Sequence, residues 1–264
     1  MNKNYNEFVA RVVSTDNLKE RANINLSCGT NDFDAWVVSL IDGVYFSSVL
    51  DICCGTGNQL IKYAKKNSEA YIVGVDVAEE SLKTAEDRLR SLGAYNYKLK
   101  LIAMEEMFRD TELSDTKFDV VSCFYGLYYS RDTDRTLEEM IEHLSEKGTL
   151  IIVGPYGKNN AAFFEILQKY YDLPKPVLRS ATSFMEEEVF PVLSRSLSKI
   201  DICTFVNPIL FPSTVKLLDY WQASTFFSSQ HEEVVKKAIE EHFAMHGEFI
   251  MEKHVIAYIA RKNE

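Results

Sequence analysis

Two glycines and two aspartates are spaced so that they could hold a polar organic ligand. Asp51, Gly55 and Gly57 lie in the segment VLDICCGTGNQL, where a short apolar run meets a helical pattern. Backbone amides at such a turn, and at the helix N-terminus that follows it, can bind an anionic or polar group, and glycine permits close approach. The turn therefore predicts a nucleotide-like ligand.

A second carboxylate refines that prediction. Asp76 ends the second apolar run, nineteen residues after Gly57. A carboxylate at the tip of a second parallel strand can accept both hydroxyls of a ribose that lies across the strand ends. The alternative is that Asp76 only caps the helix after it. Its spacing from the glycine turn favours the ribose, and so an adenosine-like ligand.

Other nucleotide-binding signatures fit this turn less well. A dinucleotide-binding turn has a third small residue where its helix packs on the strand, but Leu60 stands at that position. A phosphate-binding P-loop needs a Gly-Lys-Ser/Thr sequence, which does not follow the turn. These departures weigh against NAD and against a nucleoside triphosphate.

The surrounding pattern predicts the elements that position these residues. Five apolar runs rich in Val, Ile and Leu predict strands buried on both faces, at 47–52, 70–77, 97–104, 117–124 and 148–154. Helical spacing predicts helices over 58–66, 78–93 and 132–148, the latter two ending at Gly93 and Gly148 as C-caps. Alternating strands and helices indicate a doubly wound α/β fold with a parallel sheet.

The flanking segments predict further helices. Residues 1–46 indicate an N-terminal helical cover, with helices over Tyr5–Ser14 and Asn31–Asp42 joined by a polar stretch around 23–32. A helix over Ala181–Leu193 follows the fifth strand, and strands at 199–207 and 248–262 enclose helical stretches at 212–227 and 230–247. We expect one domain over 1–264, with the cover, a cofactor-binding core at 47–155, a helical insertion at 156–198 and C-terminal strands with a helical insertion at 199–264.

The motifs together resemble the class I S-adenosylmethionine-dependent methyltransferases. The resemblance rests on Asp51-Ile52-Cys53-Cys54-Gly55-Thr56-Gly57, on Asp76, on FDVVSCFYGLYY after the fourth strand, and on an antiparallel-looking last strand. It covers roughly residues 30–160 in motif detail and the rest in pattern. It implies a Rossmann-like fold, a mostly parallel seven-stranded sheet with helices on both faces, an N-terminal helical cover and helical insertions after strands five and six.

The resemblance also implies how S-adenosyl-L-methionine would be held. In the family the glycine turn holds the methionyl end, the acid after strand two binds the ribose, and residues after strand three flank the adenine. The cofactor-binding residues carried over are Asp51, Cys53, Gly55, Gly57, Asp76, Val77, Met104, Glu105 and Cys123. Cys53 stands where the family often has glycine. The family often has an aspartate for the adenine amino group, and whether Glu105 or Glu106 replaces it is open.

Aromatic residues beside the turn are candidates for acting on the methyl acceptor. In-line transfer to oxygen, nitrogen or carbon chiefly requires alignment of the acceptor and exclusion of water. A phenol could orient or deprotonate the acceptor, and aromatic faces could stabilise a cationic cofactor. The predicted catalytic residues are Tyr125, Tyr128 and Tyr129, and the predicted substrate contacts are Tyr156 and Trp221. The alternatives are core or lid packing for the tyrosines, and a covering helix or dimer contact for the segment around Trp221.

Composition limits the partners. The chain has 29 basic and 39 acidic residues, a net charge of −10, so its average field repels nucleic acid. A small-molecule acceptor is therefore expected. His242 and His246 have the spacing of two metal ligands, but no third ligand is placed, and no metal is predicted. Without a long apolar run or signal-peptide pattern, we expect a cytoplasmic protein without membrane contact, as a monomer or homodimer.

The function predicted from the sequence is methyl transfer from S-adenosylmethionine to oxygen, nitrogen or carbon of a small organic molecule. Two alternatives remain open at this point. One is a non-catalytic subunit or sensor that binds the same cofactor, and the other is a nucleotide-dependent oxidoreductase on a similar scaffold.

Overall fold

The structure is a computed structural model and describes residues 10–262. Most of the predicted first helix, Tyr5–Ser14, therefore lies outside the described residues, and residues 10–13 are helical. No helix among the described residues is long and apolar enough to cross a membrane.

A sheet that is seven-stranded within residues 10–262 forms the centre of the fold, in the order β3-β2-β1-β4-β5-β7-β6. Its strands are β1 (Ser48–Ile52), β2 (Tyr71–Asp76), β3 (Tyr97–Leu101), β4 (Phe118–Phe124), β5 (Leu144–Pro155), β6 (Lys199–Phe211) and β7 (Phe249–Arg261). The pairs joining β3, β2, β1, β4 and β5 are all parallel. The order reverses between β1 and β4, which is where α/β sheets open a crevice for ligands.

Helices follow the strands as the alternating pattern predicts. They are α1 (Thr15–Cys28), α2 (Phe33–Ile41), α3 (Asn58–Lys66), α4 (Glu79–Leu92), α5 (Thr133–Glu142), α6 (Ala161–Leu167), α7 (Lys175–Thr182), α8 (Phe190–Ser196), α9 (Thr214–Ala223) and α10 (Glu232–His246). Apolar stripes at helical spacing form α3 to α5, and Gly93 ends α4 in the left-handed conformation at φ 79°. The helices α6 to α8 and α9 to α10 are the insertions predicted after strands five and six.

Two features of the sequence prediction are wrong. The polar stretch around 23–32 is mostly helical, because α1 runs through Cys28 with Ile24 as its buried residue. The Ser14 hydroxyl accepts the Asn17 N–H and caps this helix. Gly148 is not a helix C-cap, because α5 ends at Glu142 and β5 already begins at Leu144.

The described residues divide into two compact units. We call the first the helical unit, formed by the described parts of Met1–Trp36, Pro155–Ser183 and Phe205–Val255. We call the second the sheet unit, formed by Val37–Gly154, Phe184–Thr204 and the described part of Ile256–Glu264. The expected organisation as one domain stays a prediction.

Each unit has its own apolar interior. In the sheet unit, consecutive residues of β1, β2 and β4 are buried, so both faces of these strands are covered. In the helical unit, aromatic rings make up much of the core, including Phe163, Phe211, Trp221 and Phe226. The mostly parallel seven-stranded Rossmann-like fold predicted from the resemblance is confirmed.

Candidate functional site

The glycine turn after β1 departs from ordinary backbone geometry at three alternate residues. Cys53, Gly55 and Gly57 adopt left-handed conformations at φ 58°, 52° and 78°. Only glycine adopts such angles without steric cost. At Gly57, a Cβ would also lie 2.9 Å from the Cβ of Ala85 on α4. The turn therefore needs glycine at this position both for its backbone angle and for its packing.

Asp76, at the tip of β2, holds this turn by its carboxylate. Its Oδ2 accepts the Gly55 N–H at 2.8 Å, and its Oδ1 accepts the Ala78 N–H at 2.8 Å. The side chain is half-buried. A carboxylate offers about four acceptor positions, so two amides leave acceptor capacity for ribose hydroxyls. The helix that follows starts at Glu79 with Ala78 as its N-cap and has no side-chain cap, so Asp76 does not cap it. The predicted ribose contact stays a prediction.

Asp51, at the end of β1, is a buried carboxyl group beneath the turn. It is 1% exposed, and the Ser122 hydroxyl on β4 donates to its Oδ1 at 2.6 Å. Burial raises the pKa of Asp51 to about 7, the Ser122 hydrogen bond opposes this shift, and the charge of Asp76 adds to it. Near neutral pH, Asp51 is therefore partly protonated and can either donate or accept a hydrogen bond at the turn.

The third small residue of a dinucleotide-binding turn is replaced by a different packing. Leu60 on α3 is fully buried, and the small residue is Gly74 on the neighbouring β2. A Cβ at Gly74 would lie 2.8 Å from Leu60 Cδ1 and 2.9 Å from Leu99 Cδ2. The close approach of helix and strand is thus achieved by glycine in the strand rather than glycine in the helix.

The loop after β3 contains the residues predicted to flank adenine. Met104 is buried, and Glu105 is half-buried with its Oε1 accepting the Arg131 N–H at 2.9 Å. Glu106 is exposed. Val77, just after Asp76, is 55% exposed. Of the two glutamates, Glu105 is the one tied into the loop that follows β4, and which of them contacts adenine stays a prediction.

The loop after β4 packs directly on the glycine turn. A Cβ at Gly126 would lie 2.4 Å from Cys53 Cβ and 3.1 Å from Cys123 Sγ. Cys123 is fully buried. A hydrogen bond with Cys123 and burial raise the pKa of the Cys53 thiol well above its ordinary value. Cys53 is therefore an uncharged packing thiol rather than a nucleophile.

The three tyrosines predicted as catalytic lie together on this loop. Tyr125 adopts a left-handed conformation at φ 56°, and its N–H donates to Val153 O at 2.8 Å. Tyr128 and Tyr129 form a T-shaped pair with ring centroids 4.6 Å apart. Tyr125 is 36% and Tyr129 37% exposed. A left-handed backbone at a bulky residue such as Tyr125 is typical of functional sites.

The two residues predicted as substrate contacts belong to the helical unit. The Tyr156 ring lies 6.0 Å from that of His254, and the Tyr156 N–H donates to His254 O. Trp221 is fully buried, and its indole N–H donates to the Tyr171 hydroxyl at 3.3 Å. This environment favours the covering-helix alternative for Trp221, and a substrate contact by either residue stays a prediction.

Sequence reasoning missed three residues that shape the site: Gly74, Ser122 and Gly126. Ser122 is the polar residue in the middle of the apolar run VVSCF, and a buried hydroxyl needs a partner. Gly126 interrupts an otherwise aromatic loop, where glycine indicates close backbone approach. Both signals are visible in the sequence, but neither names its partner.

The adenosine-like ligand predicted from the turn fits the residues that are present. A bulkier residue at Gly57 or Gly126 would meet Ala85 or Cys53, so both positions keep the backbone close-packed around the turn. The half-buried carboxylate of Asp76 lies beside that backbone with acceptor capacity remaining. This donor and acceptor set suits the hydroxyl pair of a nucleoside.

The sequence also matches known proteins. A family model described as "Methyltransferase domain" matches residues 47–197, more than half of the chain. The 2-phytyl-1,4-naphtoquinone methyltransferase of Nostoc sp. is 29% identical over 155 residues, which are 58% of this chain and 65% of that protein. The demethylmenaquinone methyltransferase of Listeria monocytogenes is 29% identical over 132 residues, 50% of this chain and 54% of that protein. The chain thus matches less than two thirds of the length of these relatives.

Solved structures share the fold at low sequence identity. The YcgJ protein from Bacillus subtilis superposes with a TM-score of 0.61 at 17% identity, covering 88% of this chain and 98% of that one. The plantazolicin methyltransferase BpumL, solved with a pentazolic desmethylPZN analog and SAH, superposes with a TM-score of 0.53 at 14% identity, covering 99% of both chains. Its similarity supports the fold. Since the family model matches the whole segment that carries the glycine turn, Asp76 and the tyrosine loop, the chain belongs to the methyltransferase domain family.

Proposed function

We propose that this protein is a methyltransferase that uses S-adenosyl-L-methionine and transfers its methyl group to oxygen, nitrogen or carbon of a small organic molecule. The observation that carries the proposal is the joined turn and strand tip, in which the Asp76 carboxylate accepts the Gly55 N–H at 2.8 Å. This contact supports a ribose-binding role for Asp76, because it holds the carboxylate beside a turn in which Gly55 and Gly57 are left-handed.

In the proposed site, each part of the turn has a separate task. Asp76 accepts hydrogen bonds from the ribose hydroxyls, and the backbone from Cys53 to Gly57 surrounds the methionyl end. Asp51 holds a proton or releases it beneath the turn, since its pKa is about 7. Met104, Val77 and Glu105 flank the adenine, and the backbone at Cys123 lines the side that carries the sulfur. When bound, the cofactor supplies an electrophilic methyl group on a sulfonium.

The tyrosine loop is proposed to orient the acceptor. Methyl transfer by in-line displacement needs the nucleophilic atom held about 3 to 3.5 Å from the methyl group, with water excluded. Tyr125, Tyr128 and Tyr129 supply three phenols on one short loop beside the turn. Their rings can stabilise the positive charge of the sulfonium by cation–π attraction. A phenol can also orient the acceptor by a hydrogen bond, or its oxygen can take up the proton that the acceptor loses.

The nature of the acceptor is proposed only as a small organic molecule. The relatives named above act, by their names, on a naphthoquinone and on demethylmenaquinone. Those alignments cover 58% and 50% of this chain. The net charge of −10 argues for a small molecule over nucleic acid.

Two other functions differ from this one in measurable ways. A cofactor-binding sensor would bind S-adenosylmethionine and release no S-adenosylhomocysteine with any acceptor. A nucleotide-dependent oxidoreductase would bind NADH. The packing of Leu60 against Gly74 disfavours the oxidoreductase, because the dinucleotide-binding turn relies on a small residue in the helix.

The proposal is tested first by calorimetric titration with S-adenosylmethionine, S-adenosylhomocysteine and NADH in parallel. We expect micromolar binding of the two adenosyl compounds and no heat from NADH. Binding of NADH alone would overturn the proposal. Release of S-adenosylhomocysteine in a panel of small acceptors then separates an enzyme from a sensor.

A further inference from the structure

The helical unit contains a cationic cluster that the proposed methyl transfer does not use. The cluster comprises Lys253 on β7, Asn160 at the start of α6, Tyr220 on α9 and Arg21 on α1, and we call it the lysine cluster. The Lys253 ammonium donates to Asn160 Oδ1 at 2.6 Å and to the Tyr220 hydroxyl. It also lies 4.6 Å from the centre of the Tyr220 ring. All of its members belong to one compact unit.

The backbone positions the groups around Lys253. Asn160 adopts a left-handed conformation at φ 63°, which asparagine tolerates better than most residues. Its N–H donates to Glu252 O on the same strand as Lys253. Tyr220 is 2% exposed and packs among aromatic rings, with Phe211 at 5.6 Å and Phe226 at 6.3 Å between centroids. The ammonium therefore lies at the edge of an aromatic core.

The two cations of the cluster have no carboxylate partner within the described residues. Lys253 forms no ion pair there and has one N–H left after Asn160 and Tyr220. Arg21 donates to Ala223 O at 2.7 Å and likewise has no carboxylate within 4 Å among those residues. The nearby Glu252 carboxylate is paired with His254 at 2.9 Å. Lysine and arginine in such crowded surroundings are ordinarily paired with an anion.

The electrostatics of Lys253 agree with a missing anion. Burial and the charge of Arg21 lower the pKa of Lys253 to about 7. Arg21 acts on Tyr220 as well, where burial nevertheless raises the pKa of the phenol. No carboxylate contributes to either shift. Lys253 and Arg21 are each half-buried rather than fully enclosed.

We propose that the lysine cluster is a binding site for the carboxylate of a small organic acid. The free ammonium N–H of Lys253 and the guanidinium fork of Arg21 are the donors for the carboxylate oxygens. Tyr220 and the rings beside it are buried against one another, so the site recognises the carboxylate and not the hydrocarbon body of the ligand. A single negative charge suits this site better than a dianion, since Lys253 is only partly protonated near neutral pH.

The first test is calorimetric titration with benzoate, its neutral analogue benzamide and inorganic phosphate, at about pH 6, with no adenosyl compound present. We expect benzoate to bind at least about tenfold more tightly than either other probe. K253M should lower benzoate affinity by at least about tenfold. K158M, which removes the same charge from an exposed position of the helical unit, should bind benzoate like the unsubstituted protein.

The second test uses pH and keeps the proposal falsifiable if K253M does not fold. Benzoate affinity should be constant below about pH 7 and fall by up to about tenfold per unit above it, because only the protonated lysine donates its charge. The groups that face Lys253 are the Arg21 guanidinium and the Tyr220 phenol, and the raised pKa of Tyr220 keeps that phenol neutral in this range. K253R should keep its benzoate affinity above pH 7, since guanidinium stays charged.

Equal binding of benzoate and benzamide, tighter binding of phosphate, or undiminished binding by a folded K253M would each overturn the proposal. So would a benzoate affinity that does not change with pH. These readouts need no methyl donor, so their failure leaves the proposed methyl transfer untouched. Conversely, binding of benzoate without binding of S-adenosylhomocysteine would support the carboxylate site at the lysine cluster and contradict the proposed methyl transfer.

Discussion

Asp51 and Asp76 are both carboxyl groups at strand tips, but their surroundings assign them different chemistry. Asp51 is 1% exposed and receives one hydrogen bond from Ser122. Asp76 is half-buried and receives two from backbone amides. Desolvation favours the neutral acid at Asp51, whereas at Asp76 both carboxylate oxygens accept backbone N–H groups of the turn. The sequence shows both aspartates but not this difference, because it depends on the partner Ser122 and on burial.

The raised pKa of Asp51 predicts how stability changes with pH. Its folded pKa of about 7 lies above its unfolded value, so the unfolded chain ionises first as pH rises. Folding stability from this group is therefore highest below about pH 4, falls between about pH 4 and 7, and stays low above that range. Asp51→Asn removes this dependence.

Urea unfolding of Asp51→Asn and the unsubstituted protein at about pH 5 and about pH 8 measures the effect. The difference in free energy of unfolding should move by about 3 kcal/mol in favour of the variant as pH rises, since each pKa unit corresponds to about 1.4 kcal/mol. Other titrating groups cancel in this difference. A difference that is the same at both pH values would contradict the prediction.

For Asp76, the substitution Asp76→Asn is expected to weaken S-adenosylhomocysteine binding by at least about tenfold, the scale of one lost charge-assisted hydrogen bond. The amide oxygen still accepts one backbone N–H, so the fold should persist. Asp87→Asn, which removes the same charge from an exposed position on α4, is the control and should bind normally. Calorimetry provides both affinities, and equal affinity in the two variants would remove Asp76 from the ribose.

Among the elements, α3 and α4 meet at a contact that allows no side chain. Gly57 and Gly93 share nearly the same left-handed angle, φ 78° and 79°. A Cβ at Gly57 would lie 2.9 Å from Ala85 Cβ, whereas a Cβ at Gly93 would meet nothing within 4 Å. Substitution of Gly93 therefore tests backbone strain alone, whereas substitution of Gly57 tests backbone strain and the contact with Ala85 together.

Alanine at each position tests this separation. Gly93→Ala should lower the free energy of unfolding by about 1 to 2 kcal/mol, the cost of a left-handed alanine. Gly57→Ala should lower it by a further 1 to 3 kcal/mol or so, because the helices must also move apart. Urea denaturation of both variants gives the two values. Equal losses would mean that the turn yields without displacing α4.

The helices and strands predicted most accurately from the sequence are those with the strongest apolar pattern. The first four predicted strands match β1 to β4 within three residues at each end, and the predicted helix over 58–66 matches α3. Short continuous runs of Val, Ile and Leu are typical of strands that are buried on both faces of a parallel sheet. By contrast, α1 has one buried residue, Ile24, so it has little apolar pattern to read. The sequence does not indicate the start of β5, because residues 145–147, SEK, are polar and half-buried or exposed.

For the molecule as a whole, net charge makes a prediction about partners. The chain carries ten more acidic than basic charges by formal count. Such a field repels a polyanion unless a local basic patch overrides it. A short DNA duplex at physiological salt should therefore show no change in electrophoretic mobility with this protein. A salt-dependent shift would contradict the prediction and reopen nucleic acid as the acceptor.

For the whole molecule, the resemblance stated in the sequence analysis predicts the fold and the family. The strand order and the family model confirm both predictions. The division into two compact units is not visible in the sequence, because each unit is assembled from three separate segments. The lysine cluster is hidden for the same reason. Arg21, Asn160, Tyr220 and Lys253 come from distant parts of the chain, and no spacing rule joins them.

The strand order has a consequence for synthesis on the ribosome. β7 lies between β5 and β6 in the sheet, although it follows both in the chain. Until β7 emerges, β5 presents an unpaired edge of N–H and C=O groups, and β6 has no neighbour to join. An exposed edge of this kind is a template for pairing with another chain. Nascent chains stalled before Phe249 are thus the species most in need of a chaperone.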